Sequence, residues 1–183
     1  MCRVALAVLA ACLLAGAAAD TARYKLDRIQ HDRVPLGSVV TLTQDELNVY
    51  VRSQIAGTFP HGVRDARLQL GAGNATGSAY VDFPKLSQSM GKPMGWFMSW
   101  LLAGERRVEV QARVRSGGGR AQVDLERVQV SGWSITGSAL DYLVRNFVRP
   151  HYPDAAIGRP FRLAHRVDRL EVRPAEVRVV MAK

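Results

Sequence analysis

Apolar and polar residues alternate with a period of two over much of this chain. Ala66, Leu68 and Leu70 interleave with Asp65, Arg67 and Gln69. After Gly71-Ala72-Gly73-Asn74, the residues Ala79, Val81 and Phe83 interleave with Ser78, Tyr80 and Asp82. Such a pair predicts a hairpin with one apolar and one polar face. A second hairpin is predicted by Val108, Val110, Ala112 and Val114, the turn Ser116 to Gly119, and Ala121, Val123 and Leu125. The parity then flips to Val128 and Val130, which places a β-bulge near Glu126-Arg127 and predicts a strongly curved sheet. Ser38 to Leu42 reads as a short strand. Phe161 to Arg173, the turn Arg173-Pro174-Ala175-Glu176, and Val177, Val179 and Met181 read as a closing hairpin.

The period changes in two places. Thr43-Gln44-Asp45-Glu46 is a capping box, in which a threonine hydroxyl and the glutamate three residues on satisfy exposed N–H groups. Leu47, Tyr50, Val51 and Ile55 follow on one helical face, and Gly57 and Pro60 end the helix. Ser138 to Val148 carries the stripe Leu140, Leu143, Val144, Phe147 and Val148, with Asp141 and Arg145 as an i,i+4 pair, and Pro150 stops it. Asp20 to Pro35 is polar without a clear period and reads as an extended N-terminal arm. The expectation is an α+β domain over 36–183. A strongly curved antiparallel sheet of six or seven strands wraps on two main helices, beside a short apolar third helix.

That third helix lies in Met90 to Leu102. Met94, Phe97, Met98, Leu101 and Leu102 share one face, and Trp96 and Trp100 sit on the opposite one. A helix apolar nearly all round needs apolar surroundings on more than one side. At about ten residues it falls short of the ~20 that span a bilayer. It is a core helix, a segment dipping into a membrane surface, or the border of an apolar ligand. Methionine adapts to irregular ligands and tryptophan suits apolar–water boundaries, which favours the lipid-facing readings. The candidate apolar contacts are Met90, Met94, Trp96, Phe97, Met98, Trp100 and Leu101, with Leu47, Tyr50, Val51, Leu143 and Phe147 from the two main helices.

The start of the chain changes where this domain is expected to work. Arg3, an apolar run from Val4, and Ala17-Ala18-Ala19 before Asp20 read as a secretory signal peptide over 1–19. Leu9-Ala10-Ala11-Cys12 offers the alternative of a lipidated Cys12. Cleavage after Ala19 would remove both cysteines, leaving no disulfide and no thiolate chemistry. The expected location is the periplasm or envelope of a bacterium. The net charge of +9 is carried mostly by arginine. It suits an anionic lipid or acidic polymer, and equally follows from a genome rich in arginine codons. Export argues against nucleic acid as the partner.

Catalytic patterns are lacking. His31, His61, His151 and His165 form no metal-ligand spacing, so no metal and no cofactor are expected. No G-x-S-x-G elbow occurs, and Gly117-Gly118-Gly119 lacks the Lys-Ser/Thr of a phosphate loop. Asp82 and Asp124 read as solvated strand aspartates, and Asn48 as a helix residue bonding a neighbouring loop. Asn74-Ala75-Thr76 matches a glycosylation sequon, though in a tight turn.

Leu42-Thr43-Gln44-Asp45-Glu46-Leu47-Asn48-Val49-Tyr50 resembles the helix entry of small bacterial tubular lipid-binding proteins, the BPI-like or TULIP group with its LmeA-like phospholipid binders. The order of elements over about 36–182 is similar as well. The resemblance implies a hydrophobic channel for acyl chains in the bacterial envelope and carries over no invariant site residue. The chain is therefore expected to be a non-enzymatic, exported protein that binds or carries a lipid or other apolar ligand, with contact to a membrane surface. The alternative is a structural or interaction protein of the envelope with a filled core.

Overall fold

In the computed structural model, the described residues are 21–59, 62–89, 91, 96, 102–148, 158–164 and 166–183, without the side chains of 147 and 148. The proposed signal segment, most of the Met/Trp stretch, and His61, His151 and His165 lie outside them.

Among the described residues the fold is α+β, with four helices and two curved, open antiparallel sheets. A first helix, α1, covers 21–30, followed by β1 (Val39–Thr43) and α2 (Gln44–Thr58). The hairpin β2 (Val63–Leu70) and β3 (Asn74–Asp82) leads into α3 (Phe83–Ser89). The longer hairpin β4 (Glu105–Gly117) and β5 (Arg120–Val130) follows, then β6 (Trp133–Ser134). Helix α4 (Gly137–Leu143) runs on as a π-helical turn, Val144–Val148. The chain closes with β7 (Phe161–Arg162), β8 (Val167–Arg173) and β9 (Glu176–Met181).

The larger sheet has the six antiparallel strands expected, but β1 and the final hairpin form a second sheet beside it. One sheet runs β1-β9-β8, and the other runs β2-β3-β4-β5-β6 with β7 added to β5. Strand β1 pairs with the final hairpin, Val39 opposite Val180 and Thr43 opposite Glu176. A periodic pattern marks a strand but does not say which strand it pairs with. The two sheets are stitched at one end. Ser116 Oγ donates to the Leu170 carbonyl and accepts from the Leu170 N–H, both at 2.7 Å. Gly73 N–H donates to Val172 at 2.9 Å, and Gly119 N–H to Asp168 at 2.8 Å.

Local chemistry explains the bends. Gln111 faces Arg127 while Ala112 faces Leu125, so Glu126 is the extra residue of a bulge where the parity flip predicts one. Gly118 and Gly119 both have positive φ, as the two-residue β4–β5 turn demands. The capping box of α2 is complete, with Thr43 Oγ1 accepting from Glu46 N–H and Glu46 returning the bond to Thr43 N–H.

Residues 21–30 are helical, not the extended arm expected over 20–35. Ala22 and Ile29 are buried in a core with Val34, Leu42, Val167, Val179 and Met181, and Leu26 packs against it. Lys25 Nζ reaches the Glu46 carboxylate at 2.8 Å and the Thr41 carbonyl at 2.8 Å, tying α1 to the start of α2. Helices of a few turns are marginal alone in water, and this tertiary packing holds residues 21–30 in place. A second core joins Phe83, Leu102, Val130 and Leu143 at the other end of the larger sheet.

Candidate functional site

The residues predicted to contact an apolar ligand divide into three groups. Leu47 and Tyr50 pack against the first core, and Leu143 belongs to the second. Val51 is half-buried on α2, and Trp96 is 85% exposed. Met90, Met94, Phe97, Met98, Trp100 and Leu101 lie outside the described residues, as does the side chain of Phe147. Of the same stretch, Leu102 is buried in the second core. Leu47 with Tyr50 and Leu143 thus serve two different cores, and the larger sheet runs between these.

That sheet has an unusual distribution of burial. Its central strands β3 and β4 contain no buried residue, although both are flanked by strands on each side. The apolar rows cross them in register: Ala79–Val108–Val130, Gly77–Val110–Val128 and Ala75–Ala112–Leu125. The first row runs into the second core. The other two belong to neither core, and only Val128 among them is buried. Their β3 members are small, which leaves room above the sheet. A Cβ placed on Gly77 would meet no atom within 4 Å. Beside these rows a cavity of about 290 Å³ lies between β5 and the start of α4, lined in part by Leu125, Val128, Ile135 and Leu140. Arg106 is in phase with the apolar row and opposite Val81. It is half-buried, and its Nε is shielded from solvent with no hydrogen-bond partner.

The outer edge of β2 is closed by α2. Asn48 Nδ2 donates to the Leu68 carbonyl at 2.9 Å, and Asn48 Oδ1 accepts from the Leu68 N–H at 2.6 Å. Gln44 Oε1 accepts from the Leu70 N–H at 2.8 Å. Two side-chain amides thus stand in for a neighbouring strand and protect the sheet edge. Asn48 is structural, as its helical position suggests, but its partner is a strand and not a loop.

On the polar face, two close ion pairs join β4 to β5. Arg113 meets Glu126 at 2.6 Å and Arg115 meets Asp124 at 2.5 Å. Asp124 is not merely solvated: the Gln122 amide and then Arg115 hold its carboxyl below the usual range. Asp82 caps α3, its Oδ1 accepting from Lys85 N–H at 3.0 Å. That bond, against some desolvation, lowers its pKa. Among the described residues no group of three or more His, Cys, Asp or Glu is arranged to hold a metal, and no helix is long and apolar enough to cross a membrane.

No protein-family model matches the chain, and no characterised protein sequence does. Among solved structures it is similar to one described as "Crystal structure of lipopolysaccharide binding protein", at 14% identity and a TM-score of 0.26. The match covers 79% of this chain and 40% of that one. At that score the likeness carries no argument about fold or ligand. The resemblance to the tubular lipid-binding group rests on the residues quoted for it above.

Proposed function

We propose that this protein binds a lipid or other apolar ligand along the apolar face of β3 and β4, as a non-catalytic exported component of a bacterial envelope. One observation carries the proposal: the central strands of the larger sheet hold an apolar face with no buried residue, between two cores that are well filled. Apolar surface left at the middle of a sheet gains roughly 25 cal/mol per Å² when something covers it. An acyl chain laid over Gly77, Val110 and Ala112 and into the cavity beside Leu125 would do so. That cavity is close to the lower end of the usual range for ligand pockets, ~300 Å³. A charged end of the ligand would find Arg106 at the edge of the strip. Export is supported by the Arg3 to Ala19 pattern and is tested by N-terminal sequencing of envelope-fraction protein, for which a start at Asp20 is expected.

Binding is tested by titrating a fluorescent fatty-acyl probe into wild type, Gly77→Val and Val110→Asp. The wild type is expected to saturate. Gly77→Val fills the open space and Val110→Asp charges the face, so both should weaken binding while keeping the fold. Absence of binding, or equal binding by all three proteins, would contradict the proposal and favour a structural or interaction role.

A further inference from the structure

On the opposite, polar face of the larger sheet a cavity of about 600 Å³ lies between α2 and strands β2, β3 and β4. Its walls are set by the fold. Gln44 and Asn48 spend their amides on the edge of β2, so the α2 wall stands at a fixed distance from the sheet. Arg52 comes from α2, Arg67 from β2, Thr76 and Ser78 from β3, and Arg107 from β4.

The arginines that line this cavity are unpaired or loosely paired among the described residues. Over β4 and β5, Arg113 and Arg115 each meet a carboxylate within 2.6 Å. Arg107 is 3.6 Å from Glu109, a looser contact. Among the described residues, Arg52 and Arg67 have neither an ion pair nor a hydrogen bond, and the side chains of Thr76, Ser78 and Gln69 likewise have no partner. Guanidinium groups, hydroxyls and an amide therefore line one concavity with their donors unused. Two carboxylates, Asp45 and Glu109, border the same space.

This donor set selects a chemistry. Guanidinium is suited to bidentate contact with phosphate oxygens. Carboxylates repel phosphate but accept from hydroxyls. A volume of this size falls within the range for small organic ligands, ~300–1,000 Å³. We infer that the cavity binds a phosphorylated polyol, its phosphate held by Arg52 and Arg67 and its hydroxyls by Asp45 and Glu109. The polyol phosphate is either a soluble ester or the headgroup of a phospholipid. The site stands apart from the apolar-ligand proposal, because Arg67, Thr76, Ser78, Arg107 and Glu109 are out of phase with Gly77 and Val110.

The test is calorimetric titration of the full chain with glycerol 3-phosphate, glycerol and inorganic phosphate, and co-sedimentation with phosphatidylglycerol against phosphatidylcholine vesicles. Arg52→Gln, Arg67→Gln and, as a control away from the cavity, Arg113→Gln are compared. Circular dichroism melts verify that each is folded, and retained fatty-acyl probe binding separates this site from the apolar face. Saturable binding of glycerol 3-phosphate is expected, with little response to glycerol. Each cavity variant should weaken it by about tenfold, the size of one charged hydrogen bond, and Arg113→Gln should not. Binding to phosphatidylglycerol vesicles that needs Arg52 and Arg67, without binding of the soluble ester, supports the site and identifies the headgroup as its ligand. Binding of neither, or binding that Arg113→Gln weakens as much as the cavity variants do, overturns the inference.

Discussion

The three-stranded sheet and the middle of the larger sheet differ in a way their lengths do not predict. Strands β1, β8 and β9 are five to seven residues long, yet Leu42, Val167, Val179 and Met181 from them are all buried. Strands β3 and β4 are nine and thirteen residues long and bury none. The small sheet is covered because α1 and α2 lay Ala22, Ile29, Leu47 and Tyr50 on it. On the larger one, α3 and α4 supply Phe83 and Leu143 to a core at one end. Coverage depends on where the helices dock, and the short sheet is the better protected of the two.

Truncation should separate these regions most sharply. Met181→Ala removes a fully buried side chain and should cost about 2–5 kcal/mol. Val110→Ala, on the half-buried face of β4, should cost less than about 1 kcal/mol. Urea melts of the two variants measure the gap, and equal losses would show that the middle of the sheet is as well packed as the small core. Next comes Asn48→Ala, which strips the Leu68 N–H and carbonyl of their partners. A loss of about 1–3 kcal/mol is expected. Native-state hydrogen exchange should show the Leu68 amide losing protection.

Lys25→Met follows, at about 1–2 kcal/mol near neutral pH, because Glu46 would lose a charged partner in a place only 14% exposed. Burial alone would raise the Glu46 carboxyl, but Lys25 and the Thr43 N–H outweigh it and hold the pKa low. The unfolded chain thus takes up its proton first as pH falls. The stabilisation is complete above the ordinary carboxyl range and is lost as pH drops through the lowered folded value. Stability plotted against acid pH should therefore fall less steeply in Lys25→Met than in wild type. The smallest effect is expected at Gly77, where alanine should stabilise by about 0.5–1 kcal/mol, since glycine weakens a strand interior and the space above is open. A destabilised Gly77→Ala would mean that something already occupies that space.

Much of the fold was legible in sequence where the signal is local. The Thr43–Glu46 capping box, the two-residue glycine turn and the Glu126 bulge each follow from a few adjacent residues. Pairing between distant segments was not legible, so one sheet was expected where β1 joins the final hairpin to form a second. Helix α1 was missed because its apolar spacing, Ala22, Leu26 and Ile29, is sparse among charged residues and gains its stability from α2 and β9. Helix α3 had a readable start in Asp82-Phe83-Pro84-Lys85, an N-cap with proline in the first turn, but the alternating run into Phe83 masked it. Of the candidate site, the helix residues Leu47, Tyr50 and Leu143 proved to belong to the cores. The open rows around Gly77 and Val110 could not be read, because alternation marks an apolar face without saying whether anything covers it.

Native mass spectrometry of the protein purified from its own host probes that open face most directly. A lipid-sized adduct is expected on wild type and should be missing from Val110→Asp purified in the same way. A wild-type protein that carries no adduct, from membranes rich in lipid, would contradict the assignment of the β3–β4 face to an apolar ligand.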